Sequence, residues 1–292
     1  MRGTRLLVPD LDRRPSDTRV RRALLQRFAC RDPMDHRRGV TETPDGPLSP
    51  VAAVPGLPSL HTITTTPVLG FTASGHDALN WWRRLREAHT ATGYWPVLMG
   101  HGDPEYLANS YEYADPAGSI ALADTLDGTS ILTARGDDKL RLYGPELAAT
   151  TLAELRGEGE WPDQAPRPGF RLPFGPHGEP QPVTITLVPA AAGWQVPAVL
   201  DCGGWNEYPT PAEHAAILRT WETRYGAELV VLTGATAELT VARPPRTKPE
   251  ALALAWEYFV YNDGYYDLYG ADNLTQLAAS LLAAPVWLAW WD

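Results

Sequence analysis

The spacing of apolar residues predicts several amphipathic helices. Ala78, Trp82 and Leu85 recur at i, i+4 and i+7, which places their side chains on one helical face. Two stretches, "TPAE" at 210–213 and "TKPE" at 247–250, have the Thr and Glu spacing of a capping box with proline in the first turn. They predict where two further helices begin. Other helices are predicted around 104–113, 117–125, 145–156 and 274–282.

Short apolar runs bounded by turn residues predict the strands. These runs are 61–71, "YWPVLMG" at 94–100, "PVTITLVP" at 182–189, "WQVPAVL" at 194–200, the two halves of "AELVVLTGATAELTVARPP" at 227–245, and "VWLAWW" at 286–291. Only "AAAG" separates 182–189 from 194–200, so a hairpin is expected there. Near the end of the 227–245 stretch, alternation predicts that Leu239 and Val241 face the core and that Glu238 and Thr240 face outward.

The C-terminal half therefore has the element order β-β-α-β-β-α-α-β. Hairpins mixed with helices favour an α+β fold, in which helices pack on a mixed, largely antiparallel sheet. Residues 156–182 hold 7 Pro and 5 Gly among 27 positions, which is typical of a linker or a long surface excursion. The predicted organisation is a disordered Arg/Pro-rich arm at 1–58, an N-terminal α/β part at 59–156, a Pro/Gly-rich linker or excursion at 157–182, and a C-terminal α+β domain at 183–292.

The charge is unevenly distributed and limits the classes of partner. Of the net charge of -10, residues 1–50 carry +4 and the remainder carries -14. Because the body of the protein is acidic, we expect that it binds no nucleic acid. For the basic arm, a nucleic acid or an acidic partner stays open. No apolar run approaches the length of a membrane span, so we expect a cytoplasmic protein that binds no membrane. Cys30 and Cys202 are far apart and predict no disulfide framework.

The stretch "DCGGWNEYPTPAEH" at 201–214 concentrates reactive side chains. Cys202 and His214 are candidates for a nucleophile and its base, with Glu207 or Asp201 orienting the histidine. The simpler interpretation is a strand end and a glycine turn before a capped helix, with His214 at the surface.

Ligand-type residues in the same stretch, and in "GHGDPEY" at 100–106, raise the question of a metal site. Neither stretch has the closely paired ligands of a structural zinc site, so we predict neither a metal nor a cofactor.

A second candidate surface is the tyrosine-rich loop at 258–269, which holds five tyrosines in twelve residues. Tyrosine combined with Gly, Asn and Asp is the composition of adaptable binding loops. The alternative is that the rings pack the final helix against the sheet. Together with the glycine turn, this stretch supplies the candidate binding residues, which are Trp205, Asn206, Tyr261, Asp263, Tyr265 and Tyr266.

Several strings resemble an uncharacterised bacterial, mainly actinobacterial, family known as domain of unknown function 4253. The similar strings are "WPVLM" at 95–99, "PAVL" at 197–200, "GGWN" at 203–206, Arg219 and Trp221 with "YGAEL" at 225–229, "VARPP" at 241–245 and "WWD" at 290–292. The resemblance is densest over 195–292 and implies no established chemistry. The chain departs from the family pattern after the helix at 248–261, where the family carries a cysteine and Asp-Gln-Gly, because Asn262 stands near the place of that cysteine.

The sequence therefore leaves two functions open. The first is a cytosolic, non-enzymatic binding module that recognises a protein partner or a small ligand through the tyrosine-rich loop and the Gly-Gly-Trp-Asn turn. The alternative is a hydrolase or transferase that uses the Cys202 and His214 pair.

Overall fold

The structure, a computed structural model, describes residues 59–61, 68–100, 103, 115–175, 177–204, 208–262 and 270–291. The predicted arm at 1–58 and the predicted helix at 104–113 lie outside the described residues.

Seven strands form one sheet in the order β1-β2-β4-β3-β5-β6-β7. Their bounds are β1 Ser59–His61, β2 Val68–Ala73, β3 Tyr94–Met99, β4 Val183–Pro189, β5 Ala227–Leu232, β6 Thr236–Val241 and β7 Val286–Trp290. Neighbouring strands pair antiparallel except β3 and β5, which run parallel with Leu98 opposite Val231. The predicted α+β class with a mixed, largely antiparallel sheet is therefore confirmed.

The sheet combines strands from both sides of the Pro/Gly-rich segment. β3, from the part at 59–156, lies between β4 and β5, which both belong to the part at 183–292. The two parts of the sequence therefore share one hydrogen-bonded sheet.

Helices cover the sheet, and capping boxes in the sequence stabilise the starts of two of them. Their bounds are α1 Ala78–Glu87, α2 His89–Thr92, α3 Pro116–Thr125, α4 Gly128–Leu142, α5 Pro145–Leu155, α6 Val196–Val199, α7 Pro211–Tyr225, α8 Lys248–Tyr261 and α9 Leu274–Leu281. Both predicted capping boxes are confirmed, because the Thr210 and Thr247 side chains accept from the amides of Glu213 and Glu250, whose carboxylates accept in return. Helix α4 was not predicted from the sequence.

The predicted strand at 194–200 is wrong. A 3-10 turn at Gly193–Gln195 leads directly into the short helix α6. β4 already has β2 and β3 on its two edges, so no edge remains for a hairpin partner. The Gln195 side chain instead accepts from the amide of Ala191 at 2.8 Å, which closes the turn after β4.

Both faces of the sheet are covered by apolar groups. One face shares a core with α7, α8 and α9, in which Trp221, Tyr258 and Trp287 are fully buried. The opposite face packs against α1 and against residues Phe170 and Leu172 of the Pro/Gly-rich segment. This second cover buries Glu238, so the prediction that Glu238 faces outward to solvent is wrong.

Candidate functional site

Three of the predicted site residues meet at one end of the sheet. Cys202, His214 and Tyr261 belong to a buried group of side chains that also contains Tyr208 and Trp291, and we call these five residues the ring cluster. The Cys202 thiol contacts the carbonyl of Thr233, directly after β5, at 3.9 Å. The cluster therefore lies at the carboxyl end of β5.

His214 is enclosed by rings, because the capped start of α7 points it inward. Its side chain is 2% exposed, so the interpretation of His214 as a surface residue is wrong. The ring centroids of Tyr208, Trp291 and Tyr261 lie 4.8, 5.1 and 5.4 Å from that of His214. Burial, with a smaller effect of Arg135, lowers the pKa of His214 to about 3, so the imidazole is neutral at physiological pH.

One hydrogen bond and one close backbone approach fix the imidazole. His214 Nδ1 and Tyr261 Oη are 2.8 Å apart, while His214 Nε2 is buried and has no hydrogen-bond partner among the residues that the structure describes. Gly203 lies beside that edge of the ring with a φ of +119°, and a Cβ atom there would come within 2.8 Å of His214 Cδ2. A glycine is required here both for the backbone conformation and for the space.

Cys202 is buried and electrostatically unsuited to form a thiolate. It is 0% exposed, and its thiol lies 3.7 Å from the hydroxyl of Tyr208. Burial raises its pKa to about 12, and the charges of Asp201 and Asp103 act in the same direction. Among the described residues, its hydrogen-bond contacts are with Tyr208 and Thr233 and not with His214. A cysteine nucleophile requires a lowered pKa.

Tyr261 joins the end of α8 to the end of the sheet. Its side chain is 1% exposed, and its carbonyl accepts from Trp291 Nε1 at 2.8 Å. The next residue, Asn262, is also buried and accepts from the backbone amide of Trp290. The carbonyl of Tyr261 and the side chain of Asn262 thus connect the end of α8 to Trp290 and Trp291 at the C-terminal strand.

Carboxylates lie near the ring cluster. Asp103 is largely buried, which raises its pKa, and it accepts from the amide of Gly100 at 2.6 Å. Asp201 has a φ of 49°, and burial together with the charge of Asp115 raises its pKa. Asp103, Asp115 and Asp201 thus lie near the rings, as does the Arg135 guanidinium, whose charge acts on His214 and Tyr261.

The other six predicted site residues, Trp205, Asn206, Glu207, Asp263, Tyr265 and Tyr266, lie outside the described residues. In the sequence, both stretches adjoin residues of the ring cluster or their immediate neighbours. Tyr208 directly follows 205–207, and Tyr261 and Asn262 directly precede 263–269. The contributions of Tyr208 and Trp291 were missed from the sequence, because nothing local distinguishes these rings from ordinary core residues.

Among the residues that the structure describes, no group of three or more His, Cys, Asp and Glu side chains could hold a metal ion. Within the same residues, no helix has the length and apolar character needed to cross a membrane.

Comparison with known proteins extends the family resemblance. The family model for a domain of unknown function (DUF4253) matches residues 184–292, which confirms the resemblance from β4 to the end of the chain. No curated protein and no solved structure matches the chain.

Proposed function

We propose that the protein is a non-enzymatic binding module that recognises a protein partner at the carboxyl end of β5. The observation that carries this proposal is the buried ring cluster, two of whose members, Tyr208 and Tyr261, stand next in sequence to 205–207 and to Asn262, which precedes 263–269. Trp205, Asn206, Asp263, Tyr265 and Tyr266 supply the recognition surface in this proposal. Tyr261 serves as their buried anchor.

The chemistry of the cluster supports binding over catalysis. Burial keeps both the thiol of Cys202 and the imidazole of His214 in their neutral forms near pH 7. A hydrolase that used this pair would need the ion-pair state or a base poised near neutrality. A packed set of buried rings that adjoins a tyrosine-rich stretch of the chain instead favours recognition, because preorganised aromatic anchors lower its entropic cost.

The charge supports a basic partner. The carboxylates of Asp103, Asp115 and Asp201 lie at this end of the molecule, close enough for Asp103 and Asp201 to affect the pKa of Cys202. The chain after residue 50 carries a charge of -14. Electrostatic complementarity favours a partner with Lys and Arg on its binding face and makes association sensitive to salt.

The experiment compares the proteins that the tagged chain captures from host lysate with those captured by a Tyr265→Ala/Tyr266→Ala variant. A protein retained by the wild type and lost by the variant is then purified, and its Kd is measured by calorimetry. We expect the double substitution to weaken binding by more than about tenfold, since aromatic anchors carry much of the energy of an interface. We also expect the wild-type Kd to rise with salt.

The matched control is Leu142→Ala, which removes a side chain that is 82% exposed on α4. This variant should retain every partner, and both variants should unfold at the wild-type temperature. If the loop variant captures the same proteins with unchanged Kd, the recognition surface lies elsewhere and the proposal is wrong.

A further inference from the structure

A surface cavity lies at the amino end of β3, away from the ring cluster. Its volume is about 390 Å³, and its walls come from the α1–α2 junction, the start of β3, the turn after β4 and the last turn of α7. The side chains that matter for its chemistry are Arg86, His89, Trp95 and Glu222. A cavity of this size falls within the range of sites for small ligands.

Arg86 is held rigidly and is already neutralised. Its Nε and Nη2 donate to the two carboxylate oxygens of Glu228 at 3.2 and 2.6 Å. Its guanidinium carbon lies 4.3 Å from the centroid of the Trp95 ring, so the cation also stacks on an aromatic face. A free anionic ligand would have to compete with Glu228 for this guanidinium.

His89 is fixed in a similar way. Its Nε2–H donates to the carbonyl of Ala190 at 2.8 Å, and its ring packs edge-on against Trp95 with centroids 5.1 Å apart. Trp95 itself is anchored, because its Nε1–H donates to the carbonyl of Leu229 at 3.0 Å. The walls of the cavity are therefore preorganised before any ligand arrives.

Glu222 is the group in the cavity that lacks a counterion. Within the described part of the chain, its carboxylate forms no hydrogen bond or ion pair. Burial and the negative charge of Glu228 raise its pKa, and Arg86 only partly offsets them. Glu222 and the neighbouring Glu228 thus place two negative charges beside the positive charge of Arg86, while the guanidinium of Arg243 donates to the backbone carbonyls of Glu222 and Thr223.

We propose that the cavity binds a small organic cation, a primary ammonium or guanidinium group on a short hydrocarbon body, with Glu222 as its anionic partner. Ammonium and guanidinium donors match the unused acceptors of Glu222. The small side chains of Thr90, Ala191 and Ala192, together with Gly93, leave room for the hydrocarbon. This site is separate from the surface proposed for the protein partner.

The test titrates the full chain with butylammonium and butylguanidinium chloride, with butanol and sodium butyrate as matched controls. The readouts are the NMR signals of the Trp95 indole N–H and the Gly93 amide. We expect both cations to give saturable shifts with Kd in the millimolar range, which is usual for ligands of few atoms. Butanol and butyrate should give no saturable shift. Binding should weaken as acid protonates Glu222.

Variants separate the site from general charge effects. Glu222→Gln should weaken cation binding at least about tenfold, since a charge-assisted hydrogen bond is lost. Glu87→Gln, which removes an exposed carboxylate one residue from Arg86, should leave the Kd unchanged. Ala191→Trp, which fills the cavity from its exposed rim, should abolish the shifts and provides an independent check if Glu222→Gln fails to fold.

Two results would overturn the proposal. One is the absence of saturable cation shifts at Trp95 and Gly93 in the folded protein. The other is equal binding by the wild type and by either Glu222→Gln or Ala191→Trp. The Tyr265→Ala/Tyr266→Ala variant should bind both cations normally, so this test fails or succeeds separately from the test of the protein partner.

Discussion

Burial removes the reactivity of the two residues that look most reactive in the sequence. A low-polarity environment favours the neutral form of any ionisable group, so it raises the pKa of a thiol and lowers that of an imidazole. Cys202 and His214 show these two shifts, to about 12 and about 3. A cysteine in a solvated cleft beside a helix N-terminus would shift in the opposite direction, to a lower pKa.

The buried thiol gives a direct chemical prediction. In a Cys30→Ser variant Cys202 is the sole cysteine, and alkylation at pH 8 then reports on it alone. A shift from 9.0 to about 12 lowers the thiolate fraction roughly a thousandfold, because each pKa unit is a factor of ten. We expect labelling of the folded protein to be slower than labelling in denaturant by at least that factor, as followed by mass spectrometry.

The denatured variant serves as the internal control for the reagent. Labelling of the folded chain within tenfold of the denatured rate would contradict the assignment. That result would also favour the hydrolase or transferase alternative, since it would reveal an accessible and ionised thiol.

For single helices and strands, the sequence predicted the features that depend on a few neighbouring residues. The capping boxes at Thr210 and Thr247 were found, because a cap needs only four consecutive residues. The segment at 194–200 was assigned as a strand because its apolar run carries no information on which sheet edges are occupied. Helix α4 was missed for a related reason, since its apolar residues are few and its Asp127 cap was not recognised.

β6 illustrates how a distant segment changes the meaning of a local pattern. Leu239 and Val241 face the main core as the alternation predicts. Glu238 faces the opposite side, where its carboxylate accepts from the backbone amides of Arg171 and Leu172 at 2.8 and 3.2 Å. A segment 66 residues away in the chain thus covers a position that the pattern assigns to solvent.

This buried carboxylate should make stability depend on pH. Burial raises the pKa of Glu238 from 4.5 to about 7, so the native state binds more protons than the unfolded state between these two values. The free energy of unfolding should therefore fall as the pH rises from 4.5 through 7, by up to about 3 kcal/mol. Glu238→Gln keeps one acceptor oxygen for the two amides and removes the titratable group, so it should remove this fall.

Urea unfolding of both proteins at pH 5 and pH 8 measures the effect. The wild type should lose more stability than Glu238→Gln between the two pH values, whereas the exposed-site control Glu87→Gln should behave as the wild type. Parallel pH dependence in the wild type and Glu238→Gln would show that Glu238 titrates normally in the folded protein.

The whole molecule is built on one sheet, and the family match covers only some of its strands. The matched residues 184–292 contain nearly all of β4 and the whole of β5, β6 and β7. β3 lies outside the match, yet it separates β4 from β5 in the sheet. The sequence could not reveal this arrangement, because strand order depends on pairings between residues about 90 positions apart, such as Leu98 and Ile185.

The C-terminal segment should therefore fail to fold alone. Without β3, both β4 and β5 lose a neighbouring strand, and the site of the fully buried Trp95 beside Gly193 and Leu229 becomes a void. Loss of a buried tryptophan alone costs about 3–5 kcal/mol, a large share of the stability of an ordinary domain.

A fragment of residues 183–292 should show no cooperative urea transition and no near-ultraviolet circular dichroism. The matched fragment 59–292 should show both, and adding the separate fragment 59–182 to 183–292 should restore them. Cooperative unfolding of 183–292 by itself would mean that the family segment is an autonomous domain, with β4 and β5 able to rearrange around the missing strand.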